Sequence, residues 1–219
     1  MATRSRLERA THRSTEVQLV PLFPLPNVVL FPDVPLPLHV FEPRYRALVT
    51  DALATHRTIG IALLKPGYEA DYHGRPPIYA LGCSGAIVRE ERFDDGRYNI
   101  VLHGRERFRI VEEQGGAPYR LAFVEPLSEP TRDDGTLGGL GQRVLEAVGR
   151  MADAPSIIVQ GEVSPVMLVN GLCQELNLPA VEKLDLLACD SVESRALRLV
   201  ELLDFHRLEK TSGRPGAMN

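Results

Sequence analysis

Residues 21–46 read PLFPLPNVVLFPDVPLPLHVFEPRYR, seven prolines and one histidine set among apolar side chains. Each proline fixes its own φ, offers no N–H donor and pushes the preceding residue toward extended backbone, so no regular helix crosses residues 21–37. Between the prolines, Val28, Val29, Leu30 and Phe31, then Leu36, Leu38, Val40 and Phe41, predict two short buried strands joined by a turn at Pro32-Asp33. By alternation Phe41 shares a face with His39, opposite Leu38 and Val40, so at least one aromatic ring should stay accessible. At Glu42-Pro43 the period changes. Pro43 suits a first helical turn, and Tyr45, Leu48, Val49 and Leu53 recur at helical spacing to about Thr55.

Downstream, the apolar run at 59–64 is bounded by polar and breaker residues and reads as a buried strand. Residues 66–77, PGYEADYHGRPP, read as a loop holding two tyrosines and His73, either a plain connector or a functional segment. Antiparallel strands are predicted over 78–93, 98–112 and 119–124, the first two joined by a hairpin turn at Asp94-Asp95-Gly96. On the second of these, Phe108 and Ile110 point one way and Arg105, Arg107 and Arg109 the other. Gly82, Gly85 and Gly104 inside the strands suit the bulges and close contacts of a small closed barrel.

Residues 127–139, LSEPTRDDGTLGG, hold little to bury and read as a linker between a β domain over 15–126 and a helical bundle over 140–210. Residues 1–14 are expected to form a loose arm and 211–219 a frayed tail. In the bundle, Leu140, Val144, Leu145, Val148 and Met151 form one amphipathic stripe. Ser164-Pro165 opens a second helix, a third starts near Pro179, and Asp190 with Glu193 at capping-box spacing opens a fourth.

Composition narrows the functional classes. With 219 residues, 44% of them hydrophobic, the chain can bury a core, and a formal net charge of −4 argues against a nucleic-acid partner. Three cysteines, with no CxxC pair, suit neither a disulfide framework nor a zinc knuckle and favour a reducing cytoplasm. The basic amino-terminal stretch lacks the apolar core of a secretory signal, and the uncharged stretch near residue 20 is broken by prolines, so no membrane span is expected. Six histidines, at 12, 39, 56, 73, 103 and 206, show no metal-ligand spacing, and no cofactor is expected. His39 reads as a hydrogen-bonded core or rim side chain.

Four pieces of the opening segment, PLFPL at 21–25, LFP at 30–32, LPL at 36–38 and FEPRYR at 41–46, resemble the opening motif of the Lon substrate-binding domain family. This is the amino-terminal domain of Lon proteases, which also occurs as a stand-alone protein. LGC at 81–83, DGR at 95–97 and GRERFRI at 104–110 are similar to later family segments, and the resemblance spans roughly residues 17–208. Asp33, where the family usually has glycine, and Pro35 depart from the pattern.

The resemblance implies an α+β chain, a PUA-like β pseudobarrel followed by a carboxy-terminal helical bundle. It also implies a non-enzymatic module that recognises unfolded or partly folded polypeptides, with a protease or chaperone as associated partner. The Lon ATPase and protease chemistry has no counterpart in these residues. No GxxxxGK[ST] occurs, and none of the three lysines, Lys65, Lys183 and Lys210, follows a glycine. No GxSxG elbow is present either. The GGLG run at 138–141 precedes a helix but follows no strand, and reads as connector before phosphate cradle.

Six residues are the candidate peptide contacts. Phe31, Phe41 and Tyr45 offer apolar surface along a donor-poor strand edge, while Glu42 and Arg44 are placed to orient a peptide's backbone or charges. Glu42 has the alternative role of capping the helix. Arg107, with its neighbours Arg105 and Arg109, could fork onto substrate carboxylates or phosphates, or be a solvated face paired with Glu90, Glu91 or Glu112. RNA binding is the alternative function, because PUA-like barrels include RNA readers; few aromatics are available for stacking here.

Overall fold

A computed structural model of the chain describes residues 17–72, 74–130, 134–151 and 163–212. Among them, six strands, β1 (Gln18–Leu25), β2 (Pro35–Val40), β3 (Thr58–Leu64), β4 (Ile78–Arg92), β5 (Tyr98–Gln114) and β6 (Arg120–Leu127), form one sheet in the order β2-β5-β4-β3-β1-β6. The far half of β5 also pairs with β6, which closes the sheet on itself. Helix α1 (Pro43–Ala54) packs on β1 and β3, and α2 (Asp134–Gly149), α3 (Pro165–Glu175), α4 (Ala180–Ala188) and α5 (Val192–Ser212) follow as a bundle. The chain is therefore α+β, a pseudobarrel followed by helices.

The first strand differs from the reading of residues 28–31 as a strand. It is Gln18–Leu25 that joins the sheet, despite Pro21 and Pro24. The reason lies in a change of partner. β1 runs antiparallel to β6 over residues 18–22 and parallel to β3 over 22–25, so only Leu22 is paired on both sides. Each proline sits where one flank of the strand is free, and its missing N–H costs no ladder bond there.

Residues 28–31 instead cross the end of the barrel as irregular backbone, with Val29, Leu30 and Phe31 buried. Helix α3 supplies hydrogen bonds to the end of this segment and to the prolines that follow it. The Phe31 N–H donates to Gln174 Oε1 at 3.2 Å, Gln174 Nε2 donates to the Pro35 carbonyl at 2.9 Å, and Asn170 Nδ2 donates to the Pro32 carbonyl at 3.0 Å. The turn at Pro32-Asp33 forms as expected. Asp33 takes φ +62°, a left-handed conformation that aspartate tolerates better than most residues, which accounts for its standing where the family has glycine.

Two clusters fill the interior. Val20, Leu22, Phe108, Ala122 and Val124 pack together on one side of the sheet. The larger cluster runs without a break from Val29, Phe31 and Leu102 through Leu48 and Val49 of α1 to Val144, Val169, Leu187 and Leu199 of the bundle.

Helix α2 starts at Asp134, inside the stretch read as linker, and Leu137 is buried. Helix α5 opens one residue later than a cap at Asp190 would require. The box is built by Ser191 and Ser194, each side-chain oxygen accepting the other's backbone N–H at 3.2 and 3.1 Å, and Glu193 takes no part. Thr211 and Ser212 belong to α5, whereas the expected arm at 1–14, His73 and residues 213–219 lie outside the described residues.

Candidate functional site

Where β1 ends and α1 begins, a pocket of about 240 Å3 opens to solvent. Its walls are Pro24 and Leu64 from the ends of β1 and β3, Arg44 and Tyr45 from the first turn of α1, Tyr72, Gly74, Arg75 and Pro76 from the loop before β4, and 117–120 at the start of β6. Proline 43 occupies the first turn of α1, where its missing donor is harmless, and so aims Arg44 and Tyr45 at this point.

Glu42 is the residue before the helix, but its side chain caps nothing. It accepts instead from Arg44 Nε at 3.1 Å and from the Tyr72 hydroxyl at 2.7 Å. Arg44 also donates from Nη2 to the Tyr72 carbonyl at 2.9 Å, and its guanidinium lies 4.8 Å from the Tyr45 ring centre and 5.4 Å from that of Tyr72. These bonds tie the loop to the helix. Opposite, Arg120 forks onto Glu113 at 2.8 and 2.6 Å and donates from Nη1 to the Pro76 carbonyl at 2.6 Å. The Tyr119 hydroxyl donates to Asp51 at 2.8 Å.

The three phenols of the pocket stay protonated to high pH. Burial pushes Tyr45 up to about 12, and burial with the bond to Asp51 does the same for Tyr119. Tyr72 is raised chiefly by its hydrogen bond to Glu42.

The six residues singled out by sequence separate into three places. Glu42, Arg44 and Tyr45 meet at the pocket, Tyr45 as its floor with 7% of its surface exposed. Phe41 is 59% exposed outside it, 6.2 Å from the exposed His39 ring, which bonds Asn99 at 2.8 Å and is therefore a rim side chain. Phe31 has no exposed surface and sits in the core, so it cannot meet a peptide in this conformation. Arg107 is 4% exposed, neither a peptide fork nor a solvated face.

Arg107 is covered because the bundle lies on that side of β5. Its Nε stands 2.6 Å from Glu129, and Nη1 donates to the carbonyls of Leu187 and Cys189 at 2.9 and 2.7 Å. Burial lowers its pKa. Glu129 also receives the fully buried Arg195, which bonds Asn170 Oδ1 at 2.6 Å and the Leu186 carbonyl at 2.9 Å. Arg105 and Arg109 remain exposed, the latter 3.7 Å from Glu125, not from the acids first considered.

The edge of β2 is poor in donors, as its prolines predict. Gly104 N–H donates to the Val34 carbonyl, so alternation turns the backbone of 36, 38 and 40 toward β5 and that of 35, 37 and 39 outward. Prolines occupy 35 and 37. An incoming strand finds one donor, at His39, where it needs three.

Sequence reasoning missed Tyr72, Arg75, Tyr119 and Arg120 as pocket residues. The tyrosines of the 66–77 loop were a visible signal; nothing local marks Tyr119 or Arg120, which arrive by the β6 pairing. Burial pushes the Cys83 and Cys173 thiols up to about 12, so neither is an activated nucleophile. Among the described residues no three His, Cys, Asp or Glu side chains are grouped to hold a metal ion, and no helix is long and apolar enough to cross a membrane.

Comparison with known proteins agrees with the motif reading. The family described as the ATP-dependent protease La (LON) substrate-binding domain matches residues 19–204. Lon protease 2 of Myxococcus xanthus is 28% identical over 198 residues, covering 87% of this chain and 24% of the relative. Lon protease 2 of Sorangium cellulosum is 31% identical over 149 residues, covering 66% of this chain and 18% of the relative. The chain thus spans about a quarter or less of the curated relatives it matches. The crystal structure of a Lon N-terminal domain protein from Xanthomonas campestris superposes with a TM-score of 0.61 at 25% identity, over 84% of this chain and 98% of that one. The N-terminal domain of the Mycobacterium avium complex Lon protease gives 0.59 at 16% identity, over 86% and 100%, a likeness of fold alone.

Proposed function

Because the chain belongs to the Lon substrate-binding domain family, we propose that it is a binding module for exposed apolar segments of non-native polypeptides, with the pocket at the start of α1 as the contact point. The observation that carries this reading is the composition of the walls. Three tyrosine rings, three prolines and Leu64 provide apolar surface, and guanidinium groups at the same place provide fixed donors. Such a mixture suits a side chain together with the main chain that bears it. Since the β2 edge offers few donors to an added strand, the pocket is the better contact point.

The module hydrolyses nothing in this reading. The matched family is the substrate-binding part of Lon and not its catalytic part, and a protease or chaperone acting on the bound polypeptide in the cytoplasm completes the role. Affinity should be modest, near the micromolar range of about −8 kcal/mol, because an extended ligand loses conformational entropy on binding. Titrating a labelled, permanently unfolded protein and its native counterpart against the chain tests the proposal. Preferential binding of the unfolded form supports it, and equal binding of the two forms sinks it. Tight RNA binding at physiological salt would instead favour the RNA-reader alternative.

A further inference from the structure

Arg44, Arg75 and Arg120 line the pocket, and none of its lining residues among the described ones is acidic, in a chain whose formal net charge is −4. The acids that balance the walls stand outside them. Glu113 holds Arg120, Glu42 holds Arg44 and the Tyr72 hydroxyl, and Asp51 takes the Tyr119 hydroxyl. These bonds orient and neutralise two of the cations, so the third, Arg75, is the one whose charge is left without a side-chain counterpart. Arg75 is exposed on the rim, and its guanidinium has no partner among the described residues; only its backbone N–H is used, toward Asp71 at 3.1 Å. The Tyr45 hydroxyl on the floor likewise donates to no described group. Its high pKa, set by burial, keeps that proton in place.

A site that offers an unpaired guanidinium, a free phenol O–H and no acid is complementary to an anion, and its proline and tyrosine walls favour an anion carried on apolar matter. We propose that the pocket recognises a carboxylate borne by an apolar polypeptide segment, an acidic side chain or a terminal carboxylate, held by Arg75 and the Tyr45 hydroxyl; this rests on the peptide-binding reading above. A lone cationic rim would attract acids anywhere on a surface. Here the Tyr45 donor lies at the floor, so the carboxylate must enter the pocket to use both groups. Arg75, the guanidinium without a side-chain partner, disfavours basic segments, which gives the module a preference of sign as well as of hydrophobicity.

Fluorescence anisotropy with labelled apolar peptides tests the inference. One set differs only by Asp against Asn at a central position, and a second by a free against an amidated carboxy terminus. Wild type should bind the acid form of at least one set about tenfold more tightly than its neutral form, the scale of a hydrogen bond to a charged group. The set that responds identifies the source of the carboxylate. Arg75→Glu should abolish the preference and turn it toward a Lys peptide, and Tyr45→Phe, which removes only the hydroxyl, should reduce it with the fold intact. Binding of the unfolded chain by wild type is measured alongside. If the unfolded chain binds but both acid forms bind no better than their neutral forms, or no peptide binds at all, the carboxylate inference falls and the peptide-binding reading stands. If the unfolded chain does not bind, both fall.

Discussion

The ring of Tyr45 stacks on the ring of Phe23 with 4.1 Å between centroids and 26° between planes. One residue lies in the first turn of α1 and the other belongs to β1, so the floor of the pocket is also a joint between helix and barrel. Binding surface and core share this side chain, which separates the consequences of altering its ring from those of altering its hydroxyl.

Replacing the ring should unfold more than it unbinds. Tyr45→Ala is expected to destabilise the protein by about 3 to 5 kcal/mol, as other large-to-small aromatic changes in cores do. Tyr45→Phe should cost less than about 1 kcal/mol, since its hydroxyl leaves no buried partner unsatisfied. Urea denaturation followed by far-UV circular dichroism compares the two. Equal stability of Tyr45→Ala and wild type would mean that the ring is not part of the core.

Glu129 is one carboxylate facing two buried arginines, Arg107 and Arg195. Its neutralisation in Glu129→Gln should cost about 3 to 5 kcal/mol, because two buried guanidiniums lose the counter-charge they share. The exposed pair Arg150 and Asp204, 3.4 Å apart, is the control. Asp204→Asn should change stability by less than about 1 kcal/mol, and only that loss should shrink with added salt.

Gly104 faces the backbone of the irregular crossing segment, where a Cβ would stand 1.9 Å from the Phe31 carbonyl oxygen. No side-chain rotation relieves a contact with main chain. Gly104→Ala should therefore destabilise by about 1 to 3 kcal/mol or more, whereas Gly138→Ala, whose Cβ would meet nothing, should not destabilise. Thermal melts of the two variants decide, and a Gly104→Ala melt matching wild type would place residues 28–31 differently.

Alkaline pH should destabilise the fold through groups that burial keeps protonated. Tyr45 and Tyr119 are held at about 12 against an ordinary 10, and Cys83 and Cys173 at about 12 against 9. The unfolded chain gives up these protons first, so it binds fewer than the native state and stability falls as pH rises. Stability should be full below the ordinary thiol value and decline from there through about 12. Urea midpoints measured from about pH 8 to about pH 11, with tyrosinate absorbance followed in parallel, report this. Flat midpoints with all tyrosines titrating together at 10 would contradict the burial of the Tyr45 ring.

Much of the architecture was legible from local pattern. The strands at 59–64 and 78–93, the hairpin at Asp94-Asp95-Gly96, the helix after Pro43 and the helix opened by Ser164-Pro165 all rest on interactions between residues close in the chain. The strand placed at 28–31 failed because buried apolar character does not reveal where a backbone finds its hydrogen bonds, and the partner of the Phe31 N–H, Gln174, is 143 positions away. The Asp190 cap failed by one residue, since Ser191 and Ser194 compete for the same role at the same spacing.

The candidate site divides along the same line. Proline spacing and the FEPRYR run placed Glu42, Arg44 and Tyr45 at one helix start, because φ restriction and a missing N–H act locally and leave the chain few choices. Alternation likewise put Phe41 beside His39. Tertiary packing alone decided the rest. Arg107 has the sequence signature of a solvated strand residue, yet the bundle covers its face and Glu129 neutralises it, and no periodicity in β5 records what will lie on top of it. Tyr119 and Arg120 reach the pocket because β6 pairs with β1, a contact across about 100 residues. Burial and charge balance are sums over neighbours distant in the chain, and that is why the arginine-bearing lining of the pocket appears only once the barrel has closed.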